Sequence, residues 1–237
     1  MGGAATRDTG KVRAIRALSR DTLRDRVYDG LRAQILAGGF EPGEALNVRN
    51  LAAMFGTSPT PVREALQILV AERALSAEPN RSYRVPSVSH DAFIETRDMR
   101  AELEGLLAER AASRAGPAVL RRLEQAIARM TKAIDAQDRK SYLAANQSFH
   151  FTIYAAADAP IILATIGTLW LQIGPTLNMM FDGFDLVADL QDNHNAAVAA
   201  LRAGDGEAAR QAIRKDILEA GSFVGRRIAT GEESSAG

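Results

Sequence analysis

The chain has no cysteine. Disulfides, thiolate metal sites and cysteine nucleophiles are therefore excluded, and the redox compartment is left open. No run of about 18 apolar residues occurs, and the opening M-G-G-A-A-T-R-D lacks the apolar core of a signal peptide, so a soluble, cytoplasmic protein without a membrane partner is expected. Net charge is also missing: 29 basic side chains balance 29 acidic ones. The balance is global but not local. Residues 1–90 hold 13 basic and 9 acidic groups, a net +4, and residues 91–237 hold 16 and 20, a net −4. There is no strict repeat, and only the G-E-E-S-S-A-G end is of low complexity.

What is present is enough apolar material for real cores, 46% of 237 residues, which suits two domains of ordinary size or one large one. The stretch Asn47 to Leu69 organises the first part. Asn47 can cap a short helix whose apolar side is Val48, Leu51, Ala52 and Phe55, and Gly56 can close it in a left-handed conformation. Ser58 then stands at an N-cap, Pro59 at a first helical position, and Val62, Ala65, Leu66 and Leu69 form the stripe of a second helix. Two short helices joined this tightly have the geometry of a helix-turn-helix, whose second helix carries base and phosphate contacts at its N-terminal end. Ser58, Thr60 and Arg63 occupy that end. Two short amphipathic helices can also merely pack together, so the flanks decide.

Upstream, Leu23, Val27, Leu31 and Ile35 recur every four residues and predict a helix over 22–37, stopped by Gly38-Gly39. Downstream, L-S-A-E, a turn at Pro79 to Ser82, and Y-R-V-P predict a small hairpin, a wing. This order, with L-R-A-Q-I-L-A-G-G-F-E-P-G, S-P-T-P-V-R-E-A-L and P-N-R-S-Y-R-V, resembles the winged-helix domain of the GntR family of bacterial transcription regulators over residues 22–86. The resemblance implies that Arg49, Ser58, Thr60 and Arg63 contact DNA and that Asn80 and Arg81 at the wing tip reach the minor groove or backbone. Pro59 stands where many members have arginine, and Ser82 where a wing glycine is usual. The modest positive excess of this half agrees with phosphate binding.

Beyond Pro86 everything to Thr230 reads as helix. Ser89 can cap the first; Pro117 opens the second, Asp138 the third, Pro160 the fourth (through Leu177), Asp185 the fifth, and Asp205 the sixth after Gly204. Six such helices with short joins predict an antiparallel bundle. Polar residues interrupt its apolar stripes. Asn146 and His150 lie one turn apart on one face, His194 interrupts Val187, Leu190, Ala197 and Leu201, and Asp216 interrupts Ala209, Ile213, Ala220 and Phe223. Imidazole nitrogens with carboxylate or amide oxygen suit a divalent transition metal such as zinc, nickel or manganese. The same residues can instead form a metal-free polar cluster.

The stretches R-D-M-R-A-E-L-E-G-L-L-A-E-R-A-A, N-Q-S-F-H and D-N-H-N-A-A-V-A-A-L-R-A-G-D-G-E-A-A-R resemble the FCD ligand-binding domain of one GntR branch, over residues 90–228. Many members of that branch bind a metal through an aspartate and three histidines, with a small organic acid completing its coordination. Carried across, the ligands are Asn146, His150, His194 and Asp216, with Asn146 in place of the aspartate and Asp216 in place of the last histidine. Arg100, at the arginine of the R-x-x-L-E pattern, is the candidate clamp for an effector carboxylate; equally, it can pair with Glu104 one turn on.

The expectation is a mainly α protein: a mobile arm over 1–18, a winged helix-turn-helix with a β-hairpin wing over 19–87, an all-helical effector-binding domain over 88–230 and a disordered tail over 231–237. Its function would be transcription regulation by a homodimer on a palindromic double-stranded operator, controlled by an organic acid. The rival is a metal-dependent enzyme acting on a small carboxylate through His150, His194 and Asp216; His90, the only other histidine, lies at the domain junction and offers that enzyme no base.

Overall fold

A computed structural model of the chain describes residues 22–79, 82–182 and 190–235; the predicted arm, the wing tip Asn80 and Arg81, and the predicted start at Asp185 lie outside these. Helix α1 (Leu23–Leu36) begins with a reciprocal cap. The Asp25 amide donates to the Thr22 hydroxyl at 3.2 Å and the Thr22 amide to the Asp25 carboxylate at 3.0 Å, which satisfies two N–H groups that a helix end otherwise leaves unpaired. Val27, Leu31 and Ile35 are buried as their spacing predicts, whereas Leu23, in the first turn beyond the core, is exposed.

Strand β1 (Ala45–Leu46) leads into α2 (Val48–Met54), capped by Asn47, whose side-chain oxygen accepts from the Arg49 and Asn50 amides. Gly56 closes the turn at φ +60°. Phe55 does not join the core as predicted; it is partly exposed and lays its ring over Gly30 of α1. In α3 (Pro59–Ala71), Val62, Ala65, Leu66 and Leu69 are fully buried, and each of the larger three contributes about 1.5–3 kcal/mol by leaving water. β2 (Ser76–Glu78) and β3 (Ser82–Arg84) form the predicted hairpin, but β1 adds a third antiparallel strand in the order β1-β3-β2, pairing Leu46 with Tyr83. Two residues are too few for an alternating pattern to show. Arg84 ties the strands down, its Nε donating to Glu78 at 2.7 Å and a terminal nitrogen to the Gly43 carbonyl at 2.6 Å.

The second domain consists of α4 (His90–Ala112), α5 (Pro117–Asp135), α6 (Arg139–Ala156), α7 (Pro160–Ile173), a 3-10 helix (Gly174–Asp182), α8 (Gln191–Ala203) and α9 (Gly206–Ser235). α4 packs along α9, α5 pairs with α6 and α8 with α9. The last pair turns at Gly204, whose φ of +69° suits glycine, and Asp205 then accepts from the Ala208 amide at 2.9 Å. The fourth helix stops short of Leu177 because Pro175 follows Gly174: proline lacks the N–H and crowds the preceding turn. Pro160–Met179 is long and apolar enough to cross a membrane, with mean hydropathy 1.4, yet over half of it is buried inside the protein. α9 continues to Ser235, so the helix runs on through most of the predicted tail, where no proline interrupts it.

The two domains meet at the end of α1. Asn178, in the 3-10 helix, donates its amide to the Gly38 carbonyl at 2.8 Å. Gly38 has φ +63°, and any Cβ there would lie 2.5 Å from the Asn178 side chain, so only glycine suits this contact.

Candidate functional site

Helix periodicity puts Asn146, His150 and Tyr154 on one face of α6, turned into the bundle with Tyr142. α8 brings His194 against them and α9 brings Asp216. One ligand atom from each of His150, His194 and Asp216 lies within 4.8 Å of the others. His150 Nε2 is 3.3 Å from one Asp216 oxygen and His194 Nε2 is 3.3 Å from the other. The second approach is not aligned as a hydrogen bond: both His194 ring nitrogens and Asp216 Oδ1 are buried without a partner among the described residues. Such an orphan costs about 1–3 kcal/mol in a folded protein.

Those orphans test whether a divalent metal fits. Two imidazoles and a carboxylate, converging with unused lone pairs, are a suitable donor set for a first-row transition ion, and Asn146 lines the same cavity. That cavity is small, about 30 Å³, room for one water or ion. Burial, with some help from His150, pushes His194 down to about 4 against the opposing pull of Asp216, so its ring is neutral and ready to ligate at neutral pH. Burial would raise Asp216, but His194, His150 and Arg100 together hold it below the usual carboxylate range. A larger groove, about 660 Å³, runs along α5 and α6 past Arg129, Lys132 and Ser141, but it includes none of these convergent groups.

Arg100 lines the cavity, and the structure forms the pair with Glu104: Nε donates to Oε1 at 2.6 Å, and the guanidinium lies 4.4 Å from the centre of the Trp170 ring. What surrounds it is not legible in the sequence. Trp170 Nε1 also donates to Glu104, at 2.9 Å, as does the Tyr154 hydroxyl, which burial and the Glu104 charge push well above the usual tyrosine range. Arg97, mostly buried and paired with exposed Asp98, is a second cation on the cavity wall. Arg97 was findable, one turn before Arg100; the partners of Glu104 lie 50 and 66 residues away and were not.

In the first domain, Arg49, Ser58, Thr60 and Arg63 are all exposed. The arginines enter no ion pair among the described residues, and the Ser58 hydroxyl makes no capping bond to its own helix. Thr22 and Arg24, at the start of α1, share a surface hollow with Ser58 and Thr60, a neighbourhood that only the fold brings together.

Family profiles match both halves: "Bacterial regulatory proteins, gntR family" over residues 23–85 and "FCD domain" over residues 95–219. The chain belongs to the GntR family. This GntR chain is 32% identical over 191 residues to the HTH-type transcriptional regulator McbR of Escherichia coli (strain K12), covering 79% of this chain and 86% of that protein. It is 28% identical over 200 residues to a probable D-xylose utilization operon transcriptional repressor of Paenarthrobacter nicotinovorans, covering 84% and 88%. The solved structure of E. coli McbR/YncC superposes with a TM-score of 0.83 at 28% identity, over 88% of this chain and 99% of that one. The GntR chain is therefore a DNA-binding transcriptional regulator, and its relatives give the enzyme reading no support.

Proposed function

We propose that this regulator is a cytoplasmic homodimer that grips a palindromic operator through Arg49, Ser58, Thr60 and Arg63, with Asn80 and Arg81 at the wing tip. Operator affinity is set by a small organic acid bound in the helical domain beside a divalent zinc, nickel or manganese ion. His150, His194 and Asp216, with Asn146, hold the ion, which supplies a Lewis-acidic position for the acid's carboxylate. The observation that carries this reading is the convergence of orphaned, buried His194 and Asp216 atoms on His150. Arg100 or Arg97 supplies the second carboxylate contact.

The cavity has room for little more than an ion, so an acid enters only by displacing a wall. Leu177 is part of that wall, and the next residue, Asn178, holds the end of α1 through the Gly38 carbonyl. A displaced 3-10 helix therefore moves the root of the DNA-binding head, and a ligand that prefers the displaced state shifts the population of head positions. A metal-free variant of the same reading places the acid directly on Arg97 and the histidines.

The DNA half is tested on genomic fragments selected by the wild-type chain. Arg63→Ala should weaken specific binding by about 1–3 kcal/mol and relax preference at one base pair if it reads a base. Arg49→Ala should weaken binding to all sequences alike and lower the salt dependence if it meets phosphate. Operator binding unchanged in the double variant would show that the recognition surface lies elsewhere.

A further inference from the structure

At the end of the His150 ring away from Asp216 stands a polar group that DNA and effector binding leave unused. Glu104 is wholly buried on α4, and its carboxylate faces donors only: Arg100 Nε at 2.6 Å and Trp170 Nε1 at 2.9 Å on Oε1, and the Tyr154 hydroxyl on Oε2. The buried guanidinium beside it is permanently charged and needs a negative partner, so the carboxylate carries no proton of its own. Tyr154 therefore donates its single hydroxyl proton to Glu104.

That assignment fixes the next hydrogen bond. The Tyr154 oxygen is also 2.8 Å from His150 Nδ1. With its proton already committed, the oxygen can only accept, and Nδ1 must be the donor. In a neutral imidazole the lone pair is then on Nε2, the atom 3.3 Å from Asp216. We propose that Glu104 and Tyr154 are positioning residues which fix His150 as its Nδ1–H tautomer, so that Nε2 is presented as a ligand toward His194 and Asp216. The sequence carries this as Glu104 on one helix and Tyr154 one turn beyond His150 on another; Arg100 and Trp170 hold the carboxylate in place from its other oxygen.

Tyr154 keeps Nδ1 protonated with or without metal, whereas a bare Nε2 facing the Asp216 carboxylate, and its ligand role, rest on the metal reading above. A tyrosine between carboxylate and histidine makes the arrangement one step longer than the usual direct contact, and outer partners of this kind typically change metal affinity by about 10–100-fold. The test uses the full-length, metal-free chain with nitrogen-15 in its histidines. Long-range nitrogen–proton correlation spectra should show His150 as Nδ1–H in the wild type, with the Nε2–H form gaining in Tyr154→Phe, and zinc affinity by titration calorimetry should fall about tenfold or more in that variant. Glu104→Gln gives a sharper readout. The amide nitrogen can donate to Tyr154, which turns the hydroxyl proton toward Nδ1 and drives His150 to Nε2–H. A wild-type His150 already in the Nε2–H form, or an unchanged tautomer and zinc affinity in Tyr154→Phe, would overturn the proposal. Should that variant unfold, the wild-type spectrum still decides it. A wild-type chain with the Nδ1–H tautomer that takes up no zinc would leave the relay standing and remove the metal reading alone.

Discussion

Arg63 in the winged domain and Arg100 in the bundle are the same residue on two helices, and the fold uses them in opposite ways. Arg63 is exposed at the start of α3, with no ion pair among the described residues and the fully buried Val62 beside it. Arg100 is 7% exposed, bonded to Glu104 and laid over Trp170. The head keeps its proposed DNA contacts outside its core, whereas the bundle builds its site from the core itself. Function and stability should therefore separate in the head and travel together in the bundle.

Glu104→Ala should break the bundle hardest. It leaves a buried guanidinium uncompensated and strands the Trp170 and Tyr154 donors, which should cost about 3–5 kcal/mol in urea unfolding; a loss below about 1 kcal/mol would mean that the network is not the keystone described here. Acid should have a smaller effect through His194. Its folded value of about 4 lies below the ordinary 6.5, so the unfolded chain takes up the proton first. Stability of the metal-free chain is then full above the ordinary value and declines as pH falls toward the folded one, by up to about 1.4 kcal/mol per pH unit. Urea midpoints measured across that window should shift in the wild type and shift less in His194→Gln; equal shifts would place the acid sensitivity elsewhere. The head should give the smallest stability change of all. Arg63→Ala should leave unfolding within about 0.5 kcal/mol of wild type while operator affinity drops, and a large stability loss there would erase the distinction between the two domains.

The same contrast explains what could be read from the sequence. Caps and stripes are local, so Thr22, Asn47 and Asp138 mark helix starts that the structure contains, and the spacing of Val62, Ala65, Leu66 and Leu69 gives the buried face of α3. His150, His194 and Asp216 were legible as polar interruptions of apolar stripes, because burying such groups is costly enough to mark them. The network behind them was not, since Tyr154 and Trp170 look like ordinary core aromatics until the fold brings Glu104 between them. β1 was too short to announce itself, and the change from α7 to a 3-10 helix was written in Gly174-Pro175 but outweighed by the apolar repeat running through it.

The interrupted stripes of α6, α8 and α9 are proposed to converge on a cation. The most direct measurement is the transition-metal content of the full-length protein, purified without a histidine tag, after exposure to zinc, nickel and manganese in turn. Close to one ion per chain is expected for at least one of them, lost in Asp216→Asn and in His194→Gln. A folded wild-type chain that retains none, or variants that retain as much as the wild type, would contradict it.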